Sequence, residues 1–203
     1  MSNGAFVERA DIVLASASPR RKELLGSLGI AYRVIPSLVD EPDPDPAETP
    51  GGYALRMARL KARDVAWGHP GSYVLGADTV VAVGGHILGK PRDQADSRRM
   101  TAMLAGREHT VVTGCCLIGP GGAALWEEAV SSRVTFARLT EEAIAAYAAT
   151  KEPMDKAGGY AIQGLGAFMI ERIEGSYTSV VGLPLAEVVA VLAAHKAIAA
   201  RGV

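Results

Sequence analysis

Cysteine is almost absent from this chain: Cys115 and Cys116 are the only two, adjacent in a stretch with strand character. Neighbours on a strand point to opposite faces, which excludes a disulfide framework or a zinc cluster and leaves both thiols as packing residues. Histidine is equally sparse. His69, His86, His109 and His195 lack the helical spacing of metal ligands, so a zinc enzyme is not expected and none of the four is given a role. No uninterrupted apolar run reaches membrane-spanning length, and Met1 to Arg9 has no basic start followed by an apolar core, so a cytoplasmic protein is expected. No excess of either charge exists. With a formal net charge of -1 the chain has no global attraction for nucleic acid or an anionic membrane, and any anion site must be local. Internal repeats and low-complexity segments are also missing. What remains is a chain of 203 residues, about half of them hydrophobic (49%), long enough for one domain over residues 1–203 with its core in one or two lobes.

The stretch Ser16-Ala17-Ser18-Pro19-Arg20-Arg21-Lys22 places hydroxyls and three cations where an apolar strand, Asp11 to Ala15, should turn into a helix. Ser18 is a natural N-cap, Pro19 suits the first helical position, and the helix should run to about Leu28. Cations in a first turn oppose the helix dipole by up to roughly 1 kcal/mol each, so an anionic partner is expected. The free N–H groups of that turn would receive a phosphate chain. A phosphate grip and a solvated basic helix start are both compatible with this stretch alone.

Tyr32 to Ile35 reads as a second strand, followed by a proline- and acid-rich loop from Ser37 to Pro50. Asp43, Asp45 and Glu48 read there as solvated connector residues, with Asp40 and Glu41 open to either reading. Tyr53 to Val65 has the spacing of a helix with one buried face, decorated by Arg56, Arg59, Lys61 and Arg63, most of them expected to be solvated. In the apolar strand Tyr73 to Val83, Asp78 is the odd residue: a buried carboxylate needs a cation, a metal or several donors. Gly76 and Ala77 beside it would leave room for a ligand close to the backbone, although a strand-end Asp capping a loop is the plainer alternative. A hairpin at Gly84-Gly85 should bring Lys90 back towards Asp78.

Beyond it, a helix starting at Asp93 or Ser97 reaches Leu104. Strands Thr110 to Ile118 and Leu125 to Ala137 pair across a glycine turn, and a helix begins at Thr140. Asp155 to Tyr160 and Gln163 to Gly166 are glycine-rich, either a plain connection or a place where backbone approaches a ligand. Gly166 to Ile173 reads as a last strand, Val180 to Pro184 as a turn, and Leu185 to Ala200 as a closing helix.

Taken together, Leu14 to Arg21, Gly76-Ala77-Asp78-Thr79, Gly89-Lys90-Pro91-Arg92-Asp93, Asp155-Lys156-Ala157-Gly158 and Val181-Gly182-Leu183-Pro184 resemble the Maf family of nucleoside triphosphate pyrophosphatases. The resemblance implies an α/β fold, elongated and two-lobed, with a long mixed β-sheet and a central cleft, related to the inosine triphosphate pyrophosphatases. It also implies a divalent metal, Mg²⁺ or Mn²⁺, and commonly a homodimer. Asp78 matches the family's catalytic base; Ser16, Arg21, Lys61 and Lys90 match its phosphate-binding cleft residues, and Glu41 with Asp78 would hold the metal. Base preference in the family follows the positions of Arg20, Thr79 and Gln163, which here look like the branch acting on dTTP and UTP. In a regular strand Asp78 and Thr79 face opposite ways, so both line one pocket only if the strand ends, twists or bulges there.

The activity so implied is hydrolysis of dTTP or UTP to the monophosphate and pyrophosphate by water attack on the α-phosphorus. Two alternatives stand beside it: a non-catalytic nucleotide-binding regulator of septum formation and division, and a pyrophosphatase for 7-methyl-GTP or another modified nucleotide. A carboxylate beside an anion site favours an enzyme, since a pure phosphate binder gains nothing from it.

Overall fold

A computed structural model describes residues 4–202. In chain order the elements are β1 (Phe6–Glu8), β2 (Ile12–Leu14), α1 (Pro19–Gly26), β3 (Arg33–Val34), α2 (Pro50–Trp67), β4 (Tyr73–Val83), β5 (His86–Leu88), α3 (Gln94–Leu104), β6 (Glu108–Ile118), β7 (Ala124–Phe136), α4 (Glu141–Ala148), β8 (Ile170–Glu174), α5 (Tyr177–Val181), α6 (Leu185–Ala194) and β9 (Ile198–Ala200). The fold is α/β with parallel and antiparallel strand pairs. Two compact units share these elements: the first runs up to Asp78 and takes in Thr113–Ala129 and the chain from Gly182, and the second comprises Thr79–Val112 and Val130–Val181.

In the first unit β2 lies between β3 and β4, parallel to both, with Val13 opposite Arg33 on one side and Val74 on the other. The strand order continues to β6 and β7. Alternation along these strands sorts two cores. Ile12, Leu14, Leu75 and Cys115 pack with Leu25 of α1 and Val188 and Leu192 of α6, whereas Val13, Ala15, Val74 and Cys116 pack with Ala58, Ala62 and Val65 of α2. The two cysteines are therefore buried on opposite faces and free, as their adjacency predicts.

Helix α2 starts with Thr49 accepting the Gly52 N–H at 3.1 Å and Pro50 in the first turn. Its backbone reaches the strands because two glycines let it. A Cβ on Gly76 would stand 2.4 Å from the Ala58 carbonyl oxygen, and one on Gly114 2.4 Å from Ala54. Gly76 thus serves helix packing, which replaces the expectation that it leaves room for a ligand.

The closing helix is shorter than its apolar pattern predicts. It stops at Ala194, Lys196 takes a left-handed φ of 58°, and Ile198 to Ala200 form β9, antiparallel to β1 with Val7 opposite Ala199. A three-residue strand such as β1 carries too little pattern to be seen in the sequence.

In the second unit β4 and β5 form the expected hairpin on Gly84-Gly85, with Val81 opposite Leu88. Asp93 caps α3 by accepting the Asp96 N–H at 2.8 Å, and Thr140 caps α4 by accepting that of Ala143 at 3.2 Å. The core comprises Val81, Met100, Leu104, Phe136, Tyr147 and Tyr160 among others. The strand expected from Gly166, β8, begins at Ile170, because Gly164–Met169 is a 3-10 helix, and the turn expected near Val180 is the end of α5. Gly158 has a φ of 70°, donates to the Gly89 carbonyl at 2.9 Å, and would place a Cβ 2.9 Å from Val81. That glycine-rich stretch is packed against its neighbours. Among the described residues no helix is long and apolar enough to cross a membrane.

Candidate active site

The first unit assembles five of the expected site residues from four parts of the chain. Ser16 follows β2, Arg21 lies in the first turn of α1, Glu41 in the loop before α2, Lys61 in the middle of α2 and Asp78 on β4. Lys61 is the centre. Its Nζ lies 2.7 Å from Asp78 Oδ1 and 2.8 Å from Glu41 Oε1, so one ammonium serves two carboxylates. The side chains of Lys61 and Asp78 are each 12% exposed and that of Glu41 45%, so the inner pair is shielded from solvent and the outer acid is not. Helical spacing explains the reach: Tyr53, Met57 and Lys61 recur every four residues along α2, beside the row of Ala54, Ala58 and Ala62 that Gly76 and Gly114 bring close to the strands.

Arg21 is buried at the same end of the unit. Its Nε donates to the Gly182 carbonyl at 2.8 Å and its Nη1 to Ser16 Oγ at 3.1 Å. Burial pulls its pKa down, and the charge of Asp78 is the largest effect opposing that. Ser16 Oγ also accepts from the Ser18 N–H at 3.3 Å, which uses both acceptor sites and leaves its hydroxyl proton to donate. Ser18 occupies the N-cap position of α1, yet its side chain makes no capping hydrogen bond, so the first turn is not closed by the residue that the sequence nominates.

Arg56 pairs with Glu48 at 2.7 Å and Arg59 with Glu127 at 2.5 Å, so three of the four α2 cations named from sequence are paired rather than solvated, and Glu48 is no mere connector. Tyr53 was legible only as a core position. Burial, then the charges of Asp78 and Glu41, raise its phenol pKa, so its hydroxyl stays protonated. Its spacing of two helical turns from Lys61 was the available signal.

Thr79, Lys90 and Gln163 belong to the second unit. Thr79 is half-buried on β4, which runs as a strand through both Asp78 and Thr79 without ending between them. Lys90 is exposed two residues beyond β5, past the last paired position of the hairpin, Leu88 opposite Val81. Gln163 is exposed just before the 3-10 helix Gly164–Met169. Arg20 is half-buried in the first turn of α1, in the first unit.

Among the described residues no group of three or more His, Cys, Asp and Glu could cage a metal. Asp78 and Glu41 offer two hard oxygen ligands, a set that suits Mg²⁺ or Mn²⁺, which commonly take one or two carboxylates and complete their shells with water and substrate phosphate. Charge points the same way. The Lys61 ammonium and the Arg21 guanidinium balance the two carboxylates, so a polyphosphate would meet no net attraction at Asp78 unless a divalent ion came with it.

The arrangement defines an α/β protein with a carboxylate-centred site in which a buried Arg21 and a shielded Lys61 accompany two acids, a make-up suited to phosphate anhydrides. Residues 11–195 match the family described as Maf-like protein, and the chain belongs to that family. The dTTP/UTP pyrophosphatase of Nitratidesulfovibrio vulgaris is 48% identical over 197 residues, covering 97% of this chain and 93% of that protein. The protein of the same name from Geobacter sulfurreducens is 51% identical over 183 residues, covering 90% of this chain and 95% of its own. A solved dITP/XTP pyrophosphatase from Mycobacterium abscessus is similar at a TM-score of 0.41 and 20% identity, over 64% of this chain and 75% of that one, a likeness too slight to bear on the fold.

Proposed function

We propose that this chain is a nucleoside triphosphate pyrophosphatase that hydrolyses dTTP and UTP to the nucleoside monophosphate and pyrophosphate. The observation that carries the reading is the shielded Asp78, held with Glu41 on Lys61 and near a buried Arg21. The likeness to the dTTP/UTP pyrophosphatases of N. vulgaris and G. sulfurreducens supports the substrate class.

Water attacks the α-phosphorus, the new P–O bond forms, the α–β bridging bond breaks and pyrophosphate leaves. Asp78 Oδ1 accepts from Lys61, which anchors the carboxylate at one oxygen, and Oδ2 takes the proton of the water. Asp78 and Glu41 would hold a Mg²⁺ or Mn²⁺ ion, which supplies charge for the phosphate oxygens and lowers the pKa of bound water. Arg21, aligned by Ser16 and Gly182, and Lys90 would hold phosphate oxygens as charge moves onto the leaving group. Lys61 has two carboxylates to hold, so its share in phosphate binding is exercised from within that cluster. Arg20, Thr79 and Gln163 would select the base, Gln163 by offering donor and acceptor to the O4 and N3–H edge of uracil or thymine. A cytoplasmic place and a homodimer, implied by the family likeness, belong to the same proposal.

The test is a product assay with Mg²⁺ or Mn²⁺ and a panel of nucleoside triphosphates. Pyrophosphate is expected from dTTP and UTP, and Asp78→Asn should lower kcat by about 10²–10⁴ with little change in KM. Orthophosphate as first product, or near-normal turnover by the variant, would overturn the assignment.

A further inference from the structure

Gln163 is exposed, yet the chain on either side of it is tied down within the second unit. Upstream, the Ala161 N–H donates to the Tyr147 hydroxyl oxygen at 3.1 Å. Downstream, the Glu152 carboxylate receives two backbone donors, the Leu165 N–H on Oε1 at 2.9 Å and the Gly166 N–H on Oε2 at 2.8 Å. These donors belong to the first turn of the 3-10 helix Gly164–Met169, where the side chain of Gln163 makes no capping bond of its own. Gly164 is required for the fit. Its φ is 88°, and a Cβ there would stand 2.2 Å from Glu152 Oε1. Glu152 is itself anchored: its N–H donates to Thr150 Oγ1 at 3.3 Å, and its carbonyl accepts from Lys156 Nζ at 2.6 Å.

We propose that Glu152 is a positioning residue for base selection, a clasp whose carboxylate fixes the segment that presents Gln163. The inference rests on the reading of Gln163 as the group that reads the base. A side-chain amide tells one pyrimidine from another only if its oxygen and nitrogen are held in register with the ring edge, which demands a fixed backbone orientation as well as a fixed position. Two charge-assisted hydrogen bonds from consecutive amides supply both, and each is about twice as strong as a neutral one. Neither the Gln163 side chain nor any cation of the first unit takes part in the clasp. Its loss should therefore be felt in discrimination before it is felt in turnover.

The experiment compares the full chain with Glu152→Ala, Glu152→Gln, Gln163→Ala and the Glu152→Ala/Gln163→Ala double variant. It measures kcat/KM for UTP, CTP and GTP, together with hydrogen exchange at the Leu165 and Gly166 amides. Glu152→Ala should speed exchange at those two amides and lower the UTP preference by about tenfold, as expected for a reading group misplaced by an ångström or less. Glu152→Gln, which keeps one good acceptor, should fall between Glu152→Ala and the unchanged chain. In the double variant the preference should equal that of Gln163→Ala alone, because a clasp has nothing to act through once Gln163 is gone. A lowered preference in Gln163→Ala with none in either Glu152 variant would overturn the clasp and leave Gln163 as reader. An unchanged preference in Gln163→Ala would overturn the reader role and the clasp with it. An equal loss on all three nucleotides in both Glu152 variants would make Glu152 structural only.

Discussion

Lys61 shows what a single side chain can decide. It stands on a helix among three arginines and was indistinguishable from them by pattern, yet it alone carries the inner acid of the site. Replacing it with Met leaves the shielded Asp78 carboxylate unpaired, and a loss of about 3 kcal/mol is expected in urea unfolding. Glu41 is half-exposed, so Glu41→Gln should cost under about 1 kcal/mol in stability while lowering kcat/KM for UTP, which separates the two contributions. His109, which sequence reading left without a role, has one in stability. It is buried against Phe136 and Tyr160, with Nε2 at 2.7 Å from the Tyr160 hydroxyl, and burial pulls its pKa from 6.5 down to about 4. The unfolded chain therefore takes up a proton that the folded chain refuses. Stability is complete above about pH 6.5 and falls as pH drops towards about 4, by up to roughly 3 kcal/mol. Thermal unfolding followed from pH 7 to pH 4.5 should show this slope, and His109→Gln should flatten it.

Among the elements, α2 matters most, because the site depends on how closely it approaches the strands. Its existence and its apolar face were legible from the spacing of Met57, Ala58, Ala62 and Val65, whereas its first turn from Pro50 fell in the stretch that reads as loop. Its distance from β4 and β6 was not legible, since it is set by two glycines that meet it only in three dimensions. Gly76→Ala forces a Cβ against the Ala58 carbonyl. The expected result is a destabilisation of about 1–3 kcal/mol, read from the urea midpoint, and a drop in kcat from displacement of Lys61 relative to Asp78. Gly51, whose Cβ would stand 3.6 Å from Ala129, is the control on the same helix: its replacement by Ala should leave kcat unchanged. The last helix makes the complementary point. Apolar residues continue through Ala197 and Ile198, and pattern alone extends the helix over them, but the left-handed Lys196 turns the chain so that Ile198 packs in the core as a strand residue.

For the molecule as a whole, charge sets the terms of binding. A chain of net charge -1 with two carboxylates at its site does not collect polyphosphate by general attraction. Removal of divalent ions with a chelator should abolish pyrophosphate release, and addition of Mg²⁺ or Mn²⁺ should restore it. Thermal shifts should follow the same logic: UTP with the ion raises Tm, and UTP after chelation raises it far less. Persistence of full activity in chelator would remove the ion from the mechanism.

The sequence by itself determined the α/β class, most helix starts, the hairpin on Gly84-Gly85, the burial of both thiols on opposite faces, and the family, because these follow from periodicity, turn chemistry and short ordered motifs. It also singled out Asp78 as a carboxylate that needs a partner. Tertiary structure alone decided that the partner is Lys61, that Glu41 shares it, that Arg21 is aligned by Ser16 and a glycine carbonyl, and that Gly76 admits a helix rather than a ligand. The division has a physical cause. Local propensity acts over a few residues, whereas a buried charge takes its partner from whatever the fold brings within about 3 Å, and here that residue lies seventeen positions away on a different element.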